Sequence, residues 1–130
     1  MKIFSGVKNN ISWGSKTNFV DINNVFVGYD EEQSCCEDAG YFISEDPNEP
    51  FDYEGNSDLS DDLEDYVFDS NYIDYVISPH LDEGGAQVAF KIIADSKPDL
   101  YIHLYNSHNG YYSHGFEFGD GDKIIKEGSL

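Results

Sequence analysis

The spacing of hydrophobic and polar positions changes along the chain, and each spacing predicts a different element. Apolar residues alternate near period 2 over residues 18–29, which predicts a strand. The Asn pair at 23–24 interrupts this pattern and indicates a turn or a bulge. Residues 41–43 form a short apolar run that fits either a strand or a helical turn. The first part of the chain therefore predicts short elements, mostly of β type.

Residues 58–68 carry the clearest helical spacing. The apolar residues recur at i, i+4, i+7 and i+8 and are Leu59, Leu63, Tyr66 and Val67. Ser57 or Asp58 can cap the start, and acids in the first turn suit the positive end of the helix dipole. The pattern predicts one acidic amphipathic helix.

The C-terminal half has a β texture. Tyr72–Ile77 predicts a strand, and Ala86–Ala94, Leu100–Tyr105 and Tyr111–Phe118 predict three more, joined by connections of hairpin length. These three are expected to form an antiparallel meander. The predicted fold class is therefore α+β: a mainly antiparallel sheet with the C-terminal three-stranded meander and one acidic amphipathic helix, in a single domain over residues 1–130.

Residues 45–57 predict a mobile acidic loop within that domain. Pro47, Pro50 and Gly55 break regular structure there, and five acids lie among them. The loop leads directly into the predicted helix.

The charge is distributed very unevenly. No basic residue occurs between Lys16 and Lys91, and this interval holds 20 of the 26 carboxylates of a chain whose formal net charge is −19. The aromatic fraction of 15% is too high for a disordered acidic tail, so a folded core is expected. Such a field repels nucleic acid and anionic lipid and favours a cationic partner. No apolar run is long enough to span a membrane, so a cytoplasmic protein is expected.

The residues that could carry chemistry form no convincing constellation. The acidic segments do not match the spacing of a calcium loop, and Cys35-Cys36 are adjacent, which suits neither a disulfide nor zinc chelation. We interpret the cysteines as reduced thiols, with a redox or metal role as the alternative, and the histidines, including His103, as satisfied or solvent-facing. We expect no metal, no cofactor and no catalysis.

Three patches together resemble a family of small domains of unknown function that are encoded mostly by bacteriophages and by bacteria carrying them. The patches are Ser34-Cys35-Cys36-Glu37-Asp38, a following apolar strand, and a final strand and turn that includes Asn109-Gly110-Tyr111-Tyr112. The resemblance covers about residues 20–118 and implies a phage or mobile-element origin without an activity. The acidic segment at 45–65 is longer and more charged than is usual for the pattern, which directs attention to it as the place of function.

We expect the protein to act by binding. The predicted function is that of an acidic, DNA-mimic-like inhibitor that occupies the cationic nucleic-acid-binding surface of a bacterial defence enzyme, of anti-CRISPR or anti-restriction type. The partner is a basic nucleic-acid-binding protein, a nuclease or CRISPR effector, and not nucleic acid or a membrane. The predicted partner-binding residues are Glu45, Asp46, Glu49, Asp52, Glu54, Asp58, Asp61, Asp62, Asp65 and Asp69.

Other functions remain open from the sequence. An immunity protein against a basic nuclease toxin would need the same charge, and an acidic non-catalytic structural or interaction domain would need only solubility. A module that sequesters a nucleotide signal would need a positively lined pocket. These alternatives differ in the partner and in how the carboxylates are spread over the surface.

Overall fold

The computed structural model describes residues 1–5, 16–31, 38–52, 54–76, 86–107, 114–121 and 123–130. In these ranges the chain forms nine β-strands and no helix. The strands are β1 (Lys2–Ser5), β2 (Lys16–Val20), β3 (Val25–Asp30), β4 (Asp38–Ser44), β5 (Val67–Val76), β6 (Ala86–Ile93), β7 (Leu100–Ser107), β8 (Gly115–Asp120) and β9 (Lys123–Ser129).

The strands make two antiparallel sheets. The first sheet has the order β1-β2-β3-β8-β9 and the second has the order β4-β7-β6-β5. Alternate residues of both sheets are buried in one shared apolar core. Phe90 on β6 illustrates the packing, since its ring stacks on Phe118 and meets Phe116 edge-on, both from the first sheet. Burying one face of each sheet against the other is the standard way to complete such a core.

Asp21 connects the two sheets at one end. Its Oδ1 accepts hydrogen bonds from the backbone N–H groups of Asn23 and Val25, which closes the β2–β3 turn, where Asn24 has a φ of 63°. Its Oδ2 accepts from the N–H of Phe68 on β5 at 2.9 Å. This carboxylate is buried, so it is part of the fold and not of the exposed acidic surface.

The predicted helix over 58–68 is wrong, and with it the α+β fold class. Residues 58–66 instead run as an irregular connection beside β4, where the N–H of Leu59 donates to Ile43 O. Leu63 and Tyr66 are buried as the apolar pattern requires, but Leu59 is exposed. Clustered Asp residues have poor helix propensity and repel one another at i, i+3 and i+4 spacing. An isolated 11-residue helix could not overcome that cost.

The predicted C-terminal meander is correct for two strands only. The pairing of β6 with β7 is confirmed, with Phe90 opposite Ile102. The third strand, β8, lies in the other sheet, between β3 and β9. Turn residues between two successive strands predict that those two strands pair in a hairpin. They carry no information about which sheet the following strand joins.

The β2–β3 turn at residues 23–24 is confirmed, and residues 41–43 lie in strand β4. The single-domain assignment and the mobility of residues 45–57 stay predictions. The Cys35-Cys36 pair and the 109–112 turn lie outside the described residues.

A glycine substitution tests the pairing of β8 with β9. A Cβ added to Gly119 would lie 2.4 Å from Lys123 O and 2.7 Å from Cε1 of Phe26, both far inside normal contact. Gly119→Ala is therefore expected to lower the free energy of unfolding by about 1–3 kcal/mol. Gly115 on the same strand is the matched control, because its nearest neighbour would be 3.9 Å away. Urea denaturation of both variants measures the difference, and equal midpoints would contradict the register.

Candidate functional site

The ten predicted partner-binding residues lie on the long connection between β4 and β5 and at the start of β5. We call residues 45–65 the acidic segment. Eight of the ten are exposed: Glu45, Asp46, Asp52, Glu54, Asp58, Asp61, Asp62 and Asp65. Glu49 and Asp69 are half-buried. Most of these carboxylates therefore face solvent, and their role in partner binding stays a prediction.

The first part of the acidic segment crosses the outer face of the second sheet. We call residues 46–51 the strap. On β6 and β7, Val88 and Leu104 point into the shared core, so the alternating residues Gln87, His103 and Tyr105 point to the other face. Phe51, Phe42 and Tyr105 form a small apolar cluster there, separate from the core. The strap contributes Phe51 to this cluster.

The side chain of Gln87 binds the backbone of the strap. Its Oε1 accepts from the N–H of Phe51 at 2.9 Å, and its Nε2 donates to Glu49 O at 2.6 Å. The second Nε2 hydrogen donates to Nδ1 of His103 at 3.1 Å. The oxygen and both N–H groups of this buried amide therefore have partners. The two backbone groups of the strap, one donor and one acceptor, fix the orientation of the amide.

His103 continues the network on the next strand. Because Nδ1 accepts from Gln87, the ring proton is on Nε2, which lies 3.0 Å from Asp46 O and 3.0 Å from Ser44 Oγ. The Ser44 hydroxyl also donates to Asp46 O. His103 is fully buried, and burial lowers its pKa below the usual 6.5, although the nearby Asp46 and Glu49 act in the opposite direction. The interpretation of His103 as a satisfied histidine is confirmed.

Aromatic stacking supports the same contact. The ring of Phe51 stacks on Tyr105 with centroids 3.9 Å apart, and Phe42 stacks on His103 at 4.5 Å. Tyr105 lies directly across from Gly40, where an added Cβ would be 2.8 Å from the tyrosine hydroxyl. Gly40 therefore makes room for the ring on which Phe51 packs.

Within the segment, short polar bonds fix the backbone. Glu49 accepts hydrogen bonds from Asn56 Nδ2 and from the N–H and hydroxyl of Ser57. Asp46 and Asp52 each accept from the N–H two residues later, as in Asx turns. Glu49 is thus used inside the segment, and it is the least available of the predicted partner-binding residues.

A groove of about 440 Å³ opens where the segment meets β4 and β7. Aromatic side chains and carboxylates line it together; the carboxylates are Asp38, Asp52 and Asp58, and the rings include Phe42, Phe51 and Tyr105. Asp38 was not among the predicted residues, because its sequence neighbours gave no sign that β4 would lie beside the segment. Tyr41 also lines the groove, and burial, with the charges of Glu31 and Asp58, raises its pKa.

A second groove of about 350 Å³ lies further along the segment, lined by Glu45, Asp58, Asp61 and Asp62 and by the exposed Leu59. At its edge, Lys97 from the β6–β7 turn donates to Asp62 at 3.2 Å and lies 3.4 Å from Asp65. The hydrogen bond to Asp62 and these two charges raise the pKa of Lys97. Lys91 similarly lies 4.0 Å from Asp69. Asp62, Asp65 and Asp69 therefore have cationic neighbours of their own.

The remaining exposed carboxylates of the segment, six of the predicted residues and Glu64, carry the net field. Across the part of the chain that the structure describes, no lysine comes within 4.0 Å of Glu45, Asp46, Asp52, Glu54, Asp58 or Asp61. The six predicted residues are exposed and lie within residues 45–61. This surface is suited to a partner that brings several positive charges.

Within the described ranges, no three His, Cys, Asp or Glu side chains come together in a way that could hold a metal ion. The same ranges contain no helix that could cross a membrane.

A family model describes residues 2–118, which is most of the chain. The chain belongs to the DUF7448 family. The family is a domain of unknown function, so membership defines the domain without assigning an activity. The match covers β1 through most of β8 and stops before β9. No curated protein and no solved structure matches the chain.

Proposed function

We propose that this protein acts by binding, and that its acidic segment occupies the cationic nucleic-acid-binding surface of another protein. The partner we propose is a bacterial defence enzyme, a CRISPR effector or restriction nuclease. Binding would block access of nucleic acid to that surface, so the protein would inhibit stoichiometrically and without catalysis.

One observation carries this proposal: six exposed carboxylates among the predicted residues, with no lysine within 4.0 Å among the residues that the structure describes, lie on a segment whose strap is hydrogen-bonded to the sheet. Carboxylates that serve only to keep a protein soluble need to be exposed, but they do not need a defined arrangement. Here Gln87 and His103 hydrogen-bond to the backbone of the strap, so this part of the segment and the charges next to it have a defined position on the sheet. Preorganised charge favours binding because less conformational entropy is lost on association.

The arrangement of charge differs from the one that a helix would have given. A regular row of carboxylates at helical spacing is absent, since residues 58–66 are irregular. Four of the six charges instead line two grooves, one of which contains aromatic side chains; they are Glu45, Asp52, Asp58 and Asp61. Lysine and arginine side chains that bind phosphates along nucleic acid would find carboxylates at these grooves in place of phosphates.

The proposed bacteriophage or mobile-element origin, and with it the choice of a defence enzyme as partner, is supported by the resemblance of the sequence patches to phage-encoded domains. The charge supports the basic character of the partner independently of that origin.

Affinity capture from a bacterial lysate tests the proposal. The immobilised protein at low salt is expected to retain a basic nucleic-acid enzyme, to release it in a salt gradient because exposed charges are screened, and to inhibit it at a 1:1 ratio. The bait for comparison is a segment variant, Glu45→Gln, Asp52→Asn and Asp61→Asn, which should retain less of the enzyme and release it at lower salt. A control variant, Glu127→Gln, Asp95→Asn and Asp120→Asn, removes the same charge from exposed positions outside the segment and should retain it. Retention of nothing, or of a protein that salt does not elute, would contradict the proposal.

A further inference from the structure

The contact between the strap and the second sheet depends on the protonation state of a single buried side chain. The Nδ1 atom of His103 is an acceptor for Gln87 Nε2, and its Nε2 is a donor to the strap at Asp46 O. Only the neutral ring with its proton on Nε2 can make both bonds.

The Gln87 side chain cannot hydrogen-bond to a protonated His103 ring without giving up its hydrogen bonds to the strap. A second proton on Nδ1 would face the Nε2 hydrogens of Gln87, so two donors would meet at 3.1 Å. If the amide turned over to offer its oxygen, Nε2 would face the N–H of Phe51, and Glu49 O would lose its donor. Each arrangement leaves polar groups of a buried site unsatisfied.

The surroundings give a protonated ring little compensation. Against the burial of the ring, the strap brings Asp46 O, which accepts from Nε2 in either protonation state, and the carboxylates of Glu49 and Asp46; all three favour the protonated ring. Strand β4 presents Ser44 and Phe42, and β6 presents Gln87 and Ala89, none of which is charged. On its own strand His103 is flanked by Tyr101 and Tyr105. Burial outweighs the backbone oxygen and the two carboxylates, so the pKa of His103 is lowered.

We infer that Gln87 and His103 form a proton-sensitive attachment for the strap, and that protonation of His103 releases the strap from the second sheet. The released strap would carry Asp46, Glu49 and Phe51 with it, which would open the groove beside Tyr105 and change how the carboxylates are presented. That this change would regulate partner binding rests on the proposed function. The release itself does not, because it occurs in the free protein.

The direction of the pH dependence follows from the lowered pKa of His103. The attached state binds fewer protons than the released state, in which the ring has its ordinary pKa near 6.5. Attachment is therefore fully favoured above pH 6.5 and is lost progressively as the pH falls from 6.5 towards the lowered value.

Hydrogen exchange of the Phe51 amide, measured by NMR on the free protein, tests this inference. Between pH 7.5 and pH 5.0 we expect its protection factor to fall at least tenfold relative to the amides paired between β6 and β7, which report the stability of the sheet. In His103→Gln we expect the protection factor of the Phe51 amide to be the same at pH 7.5 and pH 5.0, whatever its absolute value. The fall should persist in His114→Gln, the matched control, since His114 is also buried but binds Asp30 O on the first sheet.

A protection factor for Phe51 that stays constant over this range in the unmodified protein would overturn the inference, and so would a fall that persists in His103→Gln. The unmodified protein alone decides the first outcome, so the test holds even where His103→Gln does not fold. Failure here would leave the proposed function untouched, because a permanently attached strap could still bind a cationic partner.

Discussion

Neutralising Glu45, Asp52 and Asp61 together should weaken binding of the basic partner roughly tenfold at low salt. All three side chains are exposed, and they line the two grooves of the acidic segment. Amide side chains keep the shape and the acceptor oxygen, so the Asx turn at Asp52 can still form. The expected loss is therefore electrostatic, and most of it should appear as slower association. Isothermal titration calorimetry and stopped-flow mixing with the captured enzyme measure the two effects.

The control variant separates a local surface from a general effect of net charge. Glu127, Asp95 and Asp120 are also exposed, and their replacement lowers the net negative charge by the same amount. We expect less than a twofold change in affinity for this variant. If both variants lose affinity equally, the whole protein acts as a diffuse anion, and the acidic segment is not a distinct binding site.

Replacing Phe90 by Ala should lower the free energy of unfolding by about 3–5 kcal/mol. The ring is 1% exposed, and it contacts Phe116 and Phe118 across the interface between the sheets. Truncation would remove both aromatic contacts and leave a cavity in the centre of the core. Urea denaturation followed by fluorescence measures the change, and Phe90→Leu, with a smaller loss, gives a value where the alanine variant is unfolded.

Ile125→Ala provides the comparison for this effect. Ile125 is 54% exposed on the edge strand β9, so its truncation should change stability by less than about 1 kcal/mol. Similar losses for Phe90→Ala and Ile125→Ala would mean that the two sheets do not share the core described above.

The sequence predicts local elements here better than their assembly. Alternating apolar residues mark a strand such as β6, where Val88, Phe90 and Ile92 lie on the face that joins the core. Positions on the other face of β6, which the strap crosses, are partly or fully buried as well, and the pattern does not predict that. Strand β8 lies in the first sheet, from which Phe116 and Phe118 pack on Phe90 of β6. These contacts join residues 26 and 28 positions apart in the chain. No local pattern encodes such a contact.

The error over residues 58–68 has a specific cause. The spacing of Leu63 and Tyr66 fits a helix, but it also fits a chain with a turn between two buried side chains, since the N–H of Tyr66 donates to Leu63 O at 3.1 Å. Periodicity therefore could not distinguish the two structures, and the Asp-rich composition was the better guide.

The exposed carboxylates were predictable, but the groups that position them were not. Gln87 and His103 occur in a strand pattern as ordinary polar positions, and their function in holding the strap depends on a segment that is 36 to 57 residues distant in sequence. The one available signal was the sequence Tyr101-Ile102-His103-Leu104-Tyr105, in which the polar and aromatic residues alternate with apolar ones. This pattern indicates a second covered face, but it does not identify what covers it.

The salt dependence of affinity tests most directly the claim that the acidic segment is the binding surface. For the captured enzyme, a plot of log Kd against log salt concentration should be steep for the unmodified protein, equally steep for the control variant and clearly shallower for the segment variant. Three parallel lines would contradict the claim, because the charges that salt screens would then lie elsewhere on the protein.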